Sequence, residues 1–180
     1  MPRYVAFFSA MNVGGNRLPM ADLREALERE DFDAVETVVA SGNVLFEHEE
    51  RPTPGLTEKL QWVIRDRFHF ESMAAVRSRE ELAAAISDNP FAGNGGDQQV
   101  HTHFLERQVD EGAFEALKSN YAGRGEERIA LGDRALYIDY VDGVGRSNLT
   151  AGFIEKHLGC RGTARNMRSL ARILEKMDQA

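Results

Sequence analysis

The sequence predicts an α+β fold built twice over, and three observations carry that expectation. Val76-Arg77-Ser78-Arg79-Glu80-Glu81-Leu82 is echoed 88 positions later by Ala164-Arg165-Asn166-Met167-Arg168-Ser169-Leu170. Strand-like apolar stretches and stretches of helical spacing follow one another in the same order in both halves. Glycine-containing connections separate neighbouring strand-like runs at corresponding places.

Each element follows from its residues. Tyr4-Val5-Ala6-Phe7-Phe8 is rich in residues that suit a pleated surface, so it reads as a buried strand leading into a glycine-containing loop. Leu18-Pro19 introduces Leu23, Ala26 and Leu27 at helical spacing, which predicts a helix over Met20 to Glu30 with Pro at its start, where a missing N–H costs least. Val35 to Ala40 and Val44 to Glu47 read as antiparallel strands joined by Ser41-Gly42-Asn43, whose Gly and Asn tolerate the positive φ of a tight turn. Beyond Pro52 and Pro54, Leu56, Leu60, Val63, Ile64 and Phe68 recur at helical spacing. Ser72 to Val76 then reads as a fourth strand and Ser78 to Ser87 as a helix.

The second half repeats the order. Gln99 to Leu105 is strand-like, Ala113, Phe114 and Leu117 mark a helix, and Arg128 to Leu131 pairs with Ala135 to Tyr140 across Gly132-Asp133. Leu149-Thr150 opens a helix as Leu56-Thr57 does, with Phe153, Ile154 and Leu158 on its apolar face. A short strand near Gly162 to Ala164 precedes a final helix from Asn166. The order βαββαβ, followed by a helix, thus occurs twice and predicts tandem ferredoxin-like units over residues 1–90 and 91–180, packed together, with antiparallel or mixed sheets. One continuous mixed sheet is the rival arrangement. In each unit the first and third strands are expected side by side and parallel, with their strand-to-helix loops opening at one end of the sheet.

At 180 residues and 42% hydrophobic content, the chain is long enough to bury about 70% of its unfolded surface without a disulfide or metal staple. Its single cysteine, Cys160, excludes an internal disulfide, and the neighbouring Arg161 would depress a thiol pKa, although a structural role is the expected one. No stretch approaches the roughly 20 apolar residues of a membrane span, and no secretory apolar region opens the chain, so a cytoplasmic protein with no membrane association is expected. The sequence leaves the oligomeric state open, with a monomer favoured. The net charge of −7 argues against a general nucleic-acid coat. That charge is uneven: from Arg146 to Met177 seven cations face two carboxylates, a net of +5, leaving −12 on the remainder. Arg165, Arg168, Arg172 and Lys176 are spaced as one stripe on the predicted final helix, opposite Met167, Leu170, Leu174 and Met177. An ordinary solvated helix face is the favoured reading of such a stripe, with an anion-binding surface as its alternative.

The halves differ most in two polar loops, where function on a repeated scaffold tends to reside. One is Ser9-Ala10-Met11-Asn12-Val13-Gly14-Gly15-Asn16-Arg17; the other is Asp142-Gly143-Val144-Gly145-Arg146-Ser147-Asn148. Both lead from a strand into a helix, whose N-terminus offers free N–H groups to an anion. Asn12, Gly14, Gly15, Arg17, Ser41, Asn43, Arg146, Ser147, Arg165 and Asn166 are the candidate ligand-binding residues, for a phosphate or carboxylate. The competing view makes Gly14-Gly15 a turn and Ser147 or Asn148 a helix cap. No dinucleotide or P-loop fingerprint is complete, which disfavours nucleotide hydrolysis. His101 and His103 share a strand face but lack a third metal ligand, so they are expected to be exposed strand residues, and no metal is predicted. His48, within the acidic run Glu47, Glu49 and Glu50, is expected at a solvated strand end.

Asn12-Val13-Gly14-Gly15-Asn16-Arg17-Leu18-Pro19-Met20, Ser41-Gly42-Asn43-Val44, Gly145-Arg146-Ser147-Asn148-Leu149 and Thr163-Ala164-Arg165-Asn166, in that order along the chain, resemble the bacterial family called domain of unknown function 1697. The resemblance implies a duplicated α+β fold and supplies no catalytic role or cofactor. Two departures stand out: the family pattern has Arg-Gly where Ser9-Ala10 stands, and a Trp where Met167 follows Arg-Asn. They remove an arginine beside the first loop and a stacking surface beside the second motif. The expected function is binding of an anionic partner, a phosphorylated metabolite or RNA, through the two loops and the final helix. The alternatives are an enzyme acting on an anionic small molecule and a protein-interaction domain. For RNA, neither half has the aromatic pattern by which such sheets stack bases.

Overall fold

A computed structural model describes residues 1–9, 18–69, 71–93 and 96–179. In chain order the first elements are β1 (Arg3–Phe8), α1 (Met20–Glu28), β2 (Asp33–Val38), β3 (Ala40–Glu47), α2 (Thr53–Phe68), β4 (Ala74–Ser78) and α3 (Arg79–Ser87). They are followed by β5 (Val100–Leu105), α4 (Glu111–Tyr121), β6 (Arg128–Gly132), β7 (Ala135–Asp139), a 3₁₀ turn at Val144–Arg146, α5 (Ala151–Leu158), β8 (Gly162–Asn166) and α6 (Met167–Met177). The protein is mixed α+β, with two four-stranded antiparallel sheets ordered β2-β3-β1-β4 and β6-β7-β5-β8. The identical order in two sheets is the mark of a duplication. Two compact units result: Met1–Leu82 with Arg172–Ala180, and Ala83–Ala171.

In the first unit, one face of the sheet presents Tyr4, Ala6, Phe8, Val44, Phe46 and Val76. Leu23 and Leu27 of α1 and Leu56, Leu60 and Ile64 of α2 bury their apolar faces in the same core. Each such side chain stabilises the fold by about 1.5–3 kcal/mol. In the second unit, Leu105, Leu136 and Ile138 form the equivalent core with Phe114 and Leu117 of α4 and Ile154 and Leu158 of α5. Gly159 ends α5 at φ 70°, a left-handed conformation that glycine takes without steric cost.

Two expectations are corrected. The first and third strands of each unit, β1 with β3 and β5 with β7, pair antiparallel. A helix crossover makes the first strand run with the second, and the hairpin then reverses the third, so their strand-to-helix loops open at opposite ends of the sheet. Ser41-Gly42-Asn43 is also no turn: it lies within β3, where Asn43 pairs with Phe7, and the chain reverses at Val39, φ 67°. Pairing with a central strand has overridden the local turn propensity of Gly and Asn.

Candidate functional site

Of the predicted binding residues, Asn12, Gly14, Gly15 and Arg17 lie outside the described residues, as does the side chain of Ser41. Asn43 is buried on β3. The remaining four, Arg146, Ser147, Arg165 and Asn166, all belong to the second unit, and register brings them to one end of its sheet. Val100 at the start of β5 is opposite Asp139 at the end of β7, and His101 is opposite Asn166 at the end of β8. The segment before β5 joins the two: Tyr140 N–H donates to the Gln99 carbonyl at 2.9 Å, and Arg168 N–H to the Asp97 carbonyl at 3.3 Å.

The loop after β7 is held from within. Ser147 Oγ donates to Glu127 Oε2 at 3.0 Å and accepts from Leu149 N–H at 3.0 Å. The Tyr121 hydroxyl donates to that same carboxylate. Asn148 Nδ2 donates to the Arg124 carbonyl at 3.0 Å, and Val141 N–H to Asp139 Oδ1 at 3.0 Å. Burial first, then the bond to Glu127, pushes the Tyr121 pKa up to about 12, so this phenol stays a donor at neutral pH. Thr150, rather than Ser147 or Asn148, caps α5 by accepting from Phe153 N–H at 3.2 Å. Beside this network lies a cavity of about 340 Å³, lined by Phe91, Lys118, Tyr121, Glu127 and Arg128. The first unit has a larger cavity of its own, of about 440 Å³, lined by Tyr4, Arg51, Thr53, Ser78 and Glu81 among others.

What the held loop presents is Arg146. Its side chain is exposed and makes no hydrogen bond or ion pair among the described residues, and the same segment carries Val141 and Val144, each 46% exposed. Arg168, exposed at the start of α6, likewise has no side-chain partner among the described residues. Of the carboxylates on these segments, Asp142 precedes Arg146 by four positions, Asp97 accepts from Arg168 N–H through its backbone carbonyl, and Asp139 is buried and paired with Arg128.

Arg165 and Asn166 have other work. Arg165 lies on β8, not on the final helix, so the cationic stripe of α6 shortens to Arg168, Arg172 and Lys176. Its guanidinium donates to Thr163 Oγ1 at 2.7 Å and to the Ala164 carbonyl at 2.9 Å, and burial lowers its pKa to about 10. Its repeat counterpart, Arg77 on β4, is more deeply buried and likewise donates to the carbonyl of the preceding residue, Val76, at 2.9 Å. Asn166 caps α6, accepting from Ser169 N–H at 2.8 Å as Ser78 accepts from Glu81 N–H at 3.1 Å at the head of α3. In α3 the capping box is complete, because Glu81 also accepts from Ser78 N–H at 2.9 Å. Glu81 further accepts from Thr53 Oγ1 at 2.7 Å, which places a carboxylate at the adjoining helix starts in the larger cavity.

The histidines are corrected as well. His103 is 2% exposed, with its pKa lowered to about 4, first by burial and then by His101 and Arg165. His101 is half-buried edge-on to Tyr140, ring centroids 4.9 Å apart. Alternation on β5 sets both on the face of Leu105, which the helices cover. Cys160 is buried and its thiol pKa is raised by that burial despite the nearby Arg107, as suits a core residue. Tyr121 and Glu127 were not among the predicted residues. Their signal was present: Phe114, Leu117 and Tyr121 follow helical spacing, and Glu127 continues the alternation of Ile129 and Leu131, both packed on the core.

Set beside known proteins, residues 1–137 match the model of a family described as a protein of unknown function, DUF1697. The chain belongs to that family. Among curated proteins no relative matches. A solved structure, that of the conserved bacterial protein SP0830 from Streptococcus pneumoniae, is similar with a TM-score of 0.74 and 21% identity, over 98% of this chain and 99% of that one. At this identity the likeness is one of fold. Among the described residues, no helix of this DUF1697 member is long and apolar enough to cross a membrane.

Proposed function

We propose that this chain is a binding module for an anionic partner, which Arg146 and Arg168 contact at the loop end of the second sheet. The observation that carries this is Arg146 itself: a cation without a partner among the described residues, on a loop that Ser147, Glu127 and Tyr121 hold in place. A preorganised loop loses little conformational entropy when it binds. The proposed partner is a phosphorylated metabolite or RNA, met by guanidinium groups that bond phosphate bidentately. A cytoplasmic setting accords with a lone, buried cysteine. We further infer that each unit is a ferredoxin-like fold, supported by its βαββαβ order and by the placing of the first strand between the third and fourth.

Thermal unfolding against nucleotides, phosphorylated metabolites, carboxylates and short RNAs tests the reading. A ligand at about 100 times its dissociation constant adds roughly 2.7 kcal/mol, a shift of several degrees for a chain of this size. The shift is expected to vanish in Arg146→Ala and weaken in Arg168→Ala; a flat panel, or a shift indifferent to both, overturns it. Affinity falling steeply with salt identifies RNA, and a shallow dependence a small ligand. The exposure of Val141 and Val144 supports a second reading, a protein-interaction surface centred on the same loop. Capture of a protein partner that Arg146→Ala leaves intact and Val144→Asp abolishes would favour it.

A further inference from the structure

In the first unit, Lys59 on α2 has a partner unusual for a lysine. Its Nζ lies 2.9 Å from His48 Nε2 and 4.7 Å from the centroid of the Phe32 ring. His48 is 1% exposed, its ring packed on Phe32 at 5.0 Å between centroids, and its Nδ1 stands 2.8 Å from the Glu49 carbonyl oxygen. A carbonyl oxygen only accepts, so Nδ1 carries the ring proton and Nε2 turns a lone pair towards Lys59. The sequence signal lies in alternation: His48 continues the inward face of Val44 and Phe46, so it points into the core and not, as its acidic neighbours suggest, to a solvated end.

The charges around Lys59 are mixed. Burial, the largest influence, and then Arg51 pull its pKa below the ordinary lysine range, while Asp31, Glu30 and Glu49 act the other way. Two of those carboxylates are shared with arginines: Glu30 with Arg67 at 3.3 Å and Glu49 with Arg51 at 4.0 Å. The result is a half-buried amine that meets a proton acceptor and an aromatic face. Such surroundings favour a nucleophilic lysine over a structural ion pair.

We propose that Lys59 is a modification site, acylated on Nζ by small acyl phosphates with His48 as the proton acceptor. The neutral amine's lone pair forms the new bond to the acyl carbon. The bond from that carbon to the phosphate oxygen breaks, and phosphate leaves with the electron pair. The proton that the nitrogen must shed passes to His48 Nε2 and from there to water. The products are an amide and inorganic phosphate. Arg51, exposed and close enough for its charge to act on Lys59, supplies a cation for the departing phosphate.

The chain has four lysines, Lys59, Lys118, Lys156 and Lys176, so each serves as a control for the others. The full chain would be treated with acetyl phosphate and its acetylation followed by peptide mass mapping. Lys59 is expected to react at least about tenfold faster than the mean of the other three, well within what a positioned proton acceptor contributes to such a transfer. In denaturing urea the preference should disappear. His48→Gln keeps an acceptor for Lys59 but no base, so labelling there should fall to the level of the others while the circular dichroism stays native. Equal labelling in the folded chain, a Lys59 that does not react, or a preference that persists in urea overturns the proposal. If His48→Gln does not fold, the folded-against-urea comparison of the unaltered chain decides. None of these outcomes depends on the binding function assigned to the second unit.

Discussion

Where β1 of the first unit sets Tyr4 opposite Phe46 and Ala6 opposite Val44, β5 of the second sets His101 opposite Ile138 and His103 opposite Leu136. The neighbours on the other side change in step. Ala6 pairs with Val76 and Phe8 with Ala74, whereas His103 pairs with Ala164 and Leu105 with Gly162. Register is set by the ladder of backbone bonds and survives any side chain that fits, while close packing forces a larger ring at one position to be offset by smaller neighbours. The same scaffold therefore has a wholly apolar stretch at Val5-Ala6 in one unit and a titratable, underbonded one in the other. His103 Nε2, His101 Nδ1 and Thr102 Oγ1 are buried without a hydrogen-bond partner among the described residues. Each such atom costs about 1–3 kcal/mol.

The largest expected effect of that difference is sensitivity to acid. His103 is held neutral when folded, with its pKa near 4, so the unfolded chain takes up a proton that the folded one refuses. Its contribution is full above the unfolded value of about 6.5, declines as pH falls through the window down to about 4, and is then constant, a total loss of about 3 kcal/mol. Burial shifts His101 in the same direction. Denaturant unfolding between neutral pH and the bottom of that window, on the chain and on His103→Gln, measures it. The decline should be shallower in the variant; parallel profiles would mean that the buried ring does not distinguish the units.

Packing gives the next effect. A Cβ on Gly162 would stand 2.8 Å from the Phe104 carbonyl oxygen and closer still to the His103 ring. Gly162→Ala should therefore cost about 1–3 kcal/mol. The double variant His103→Ala with Gly162→Ala copies the Ala6 and Ala74 of the first unit, and Gly162→Ala should cost at least about 1 kcal/mol less in that background. Additive losses would show that the glycine answers to the backbone of β5 rather than to the histidine ring.

How far the sequence foretells this molecule follows the same division between backbone pattern and local chemistry. Period and order were legible because strands and helices bury one face each, so the elements and their repetition appear within a residue or two of their expected limits for most of the chain. What the polar motifs do was not legible. Ser, Asn and Gly serve as helix caps, turn residues and ligand contacts by the same hydrogen-bonding capacity. Asn166 proved to be a cap, Asn43 a strand residue, and Arg165 a half-buried partner of Thr163. Arg146 was recognised by type, but its isolation depends on which side chains come near, which spacing cannot supply. The pairs Ser147 with Glu127 and Lys59 with His48 join residues 20 and 11 positions apart, brought together only by the fold.

A smaller effect separates the two helix starts. Asn166→Ala should cost about 1 kcal/mol, the ordinary loss of a cap. Glu81→Ala should cost more, because Ser169 holds the matching position in α6, while Glu81 answers both Ser78 N–H and Thr53 Oγ1. Urea midpoints of the two variants check the order. Equal midpoints would mean that the reciprocal bond and the Thr53 contact add nothing to the cap.

Arg146→Ala should do least, within about 0.5 kcal/mol of the parent chain, since an exposed side chain without a partner among the described residues has little stability to lose. That near-zero value is what would make Arg146 informative about binding: a ligand effect lost in a variant of unchanged stability reports the contact and not the fold. Ser147→Ala is its opposite, breaking bonds to Glu127 and Leu149 and lowering stability by about 1–2 kcal/mol while leaving the guanidinium in place. Measured together by thermal unfolding, the pair separates presentation of the loop from its chemistry. If Arg146→Ala instead cost as much as Ser147→Ala, the arginine would belong to the network that holds the loop, and the contact assigned to it would pass to Arg168.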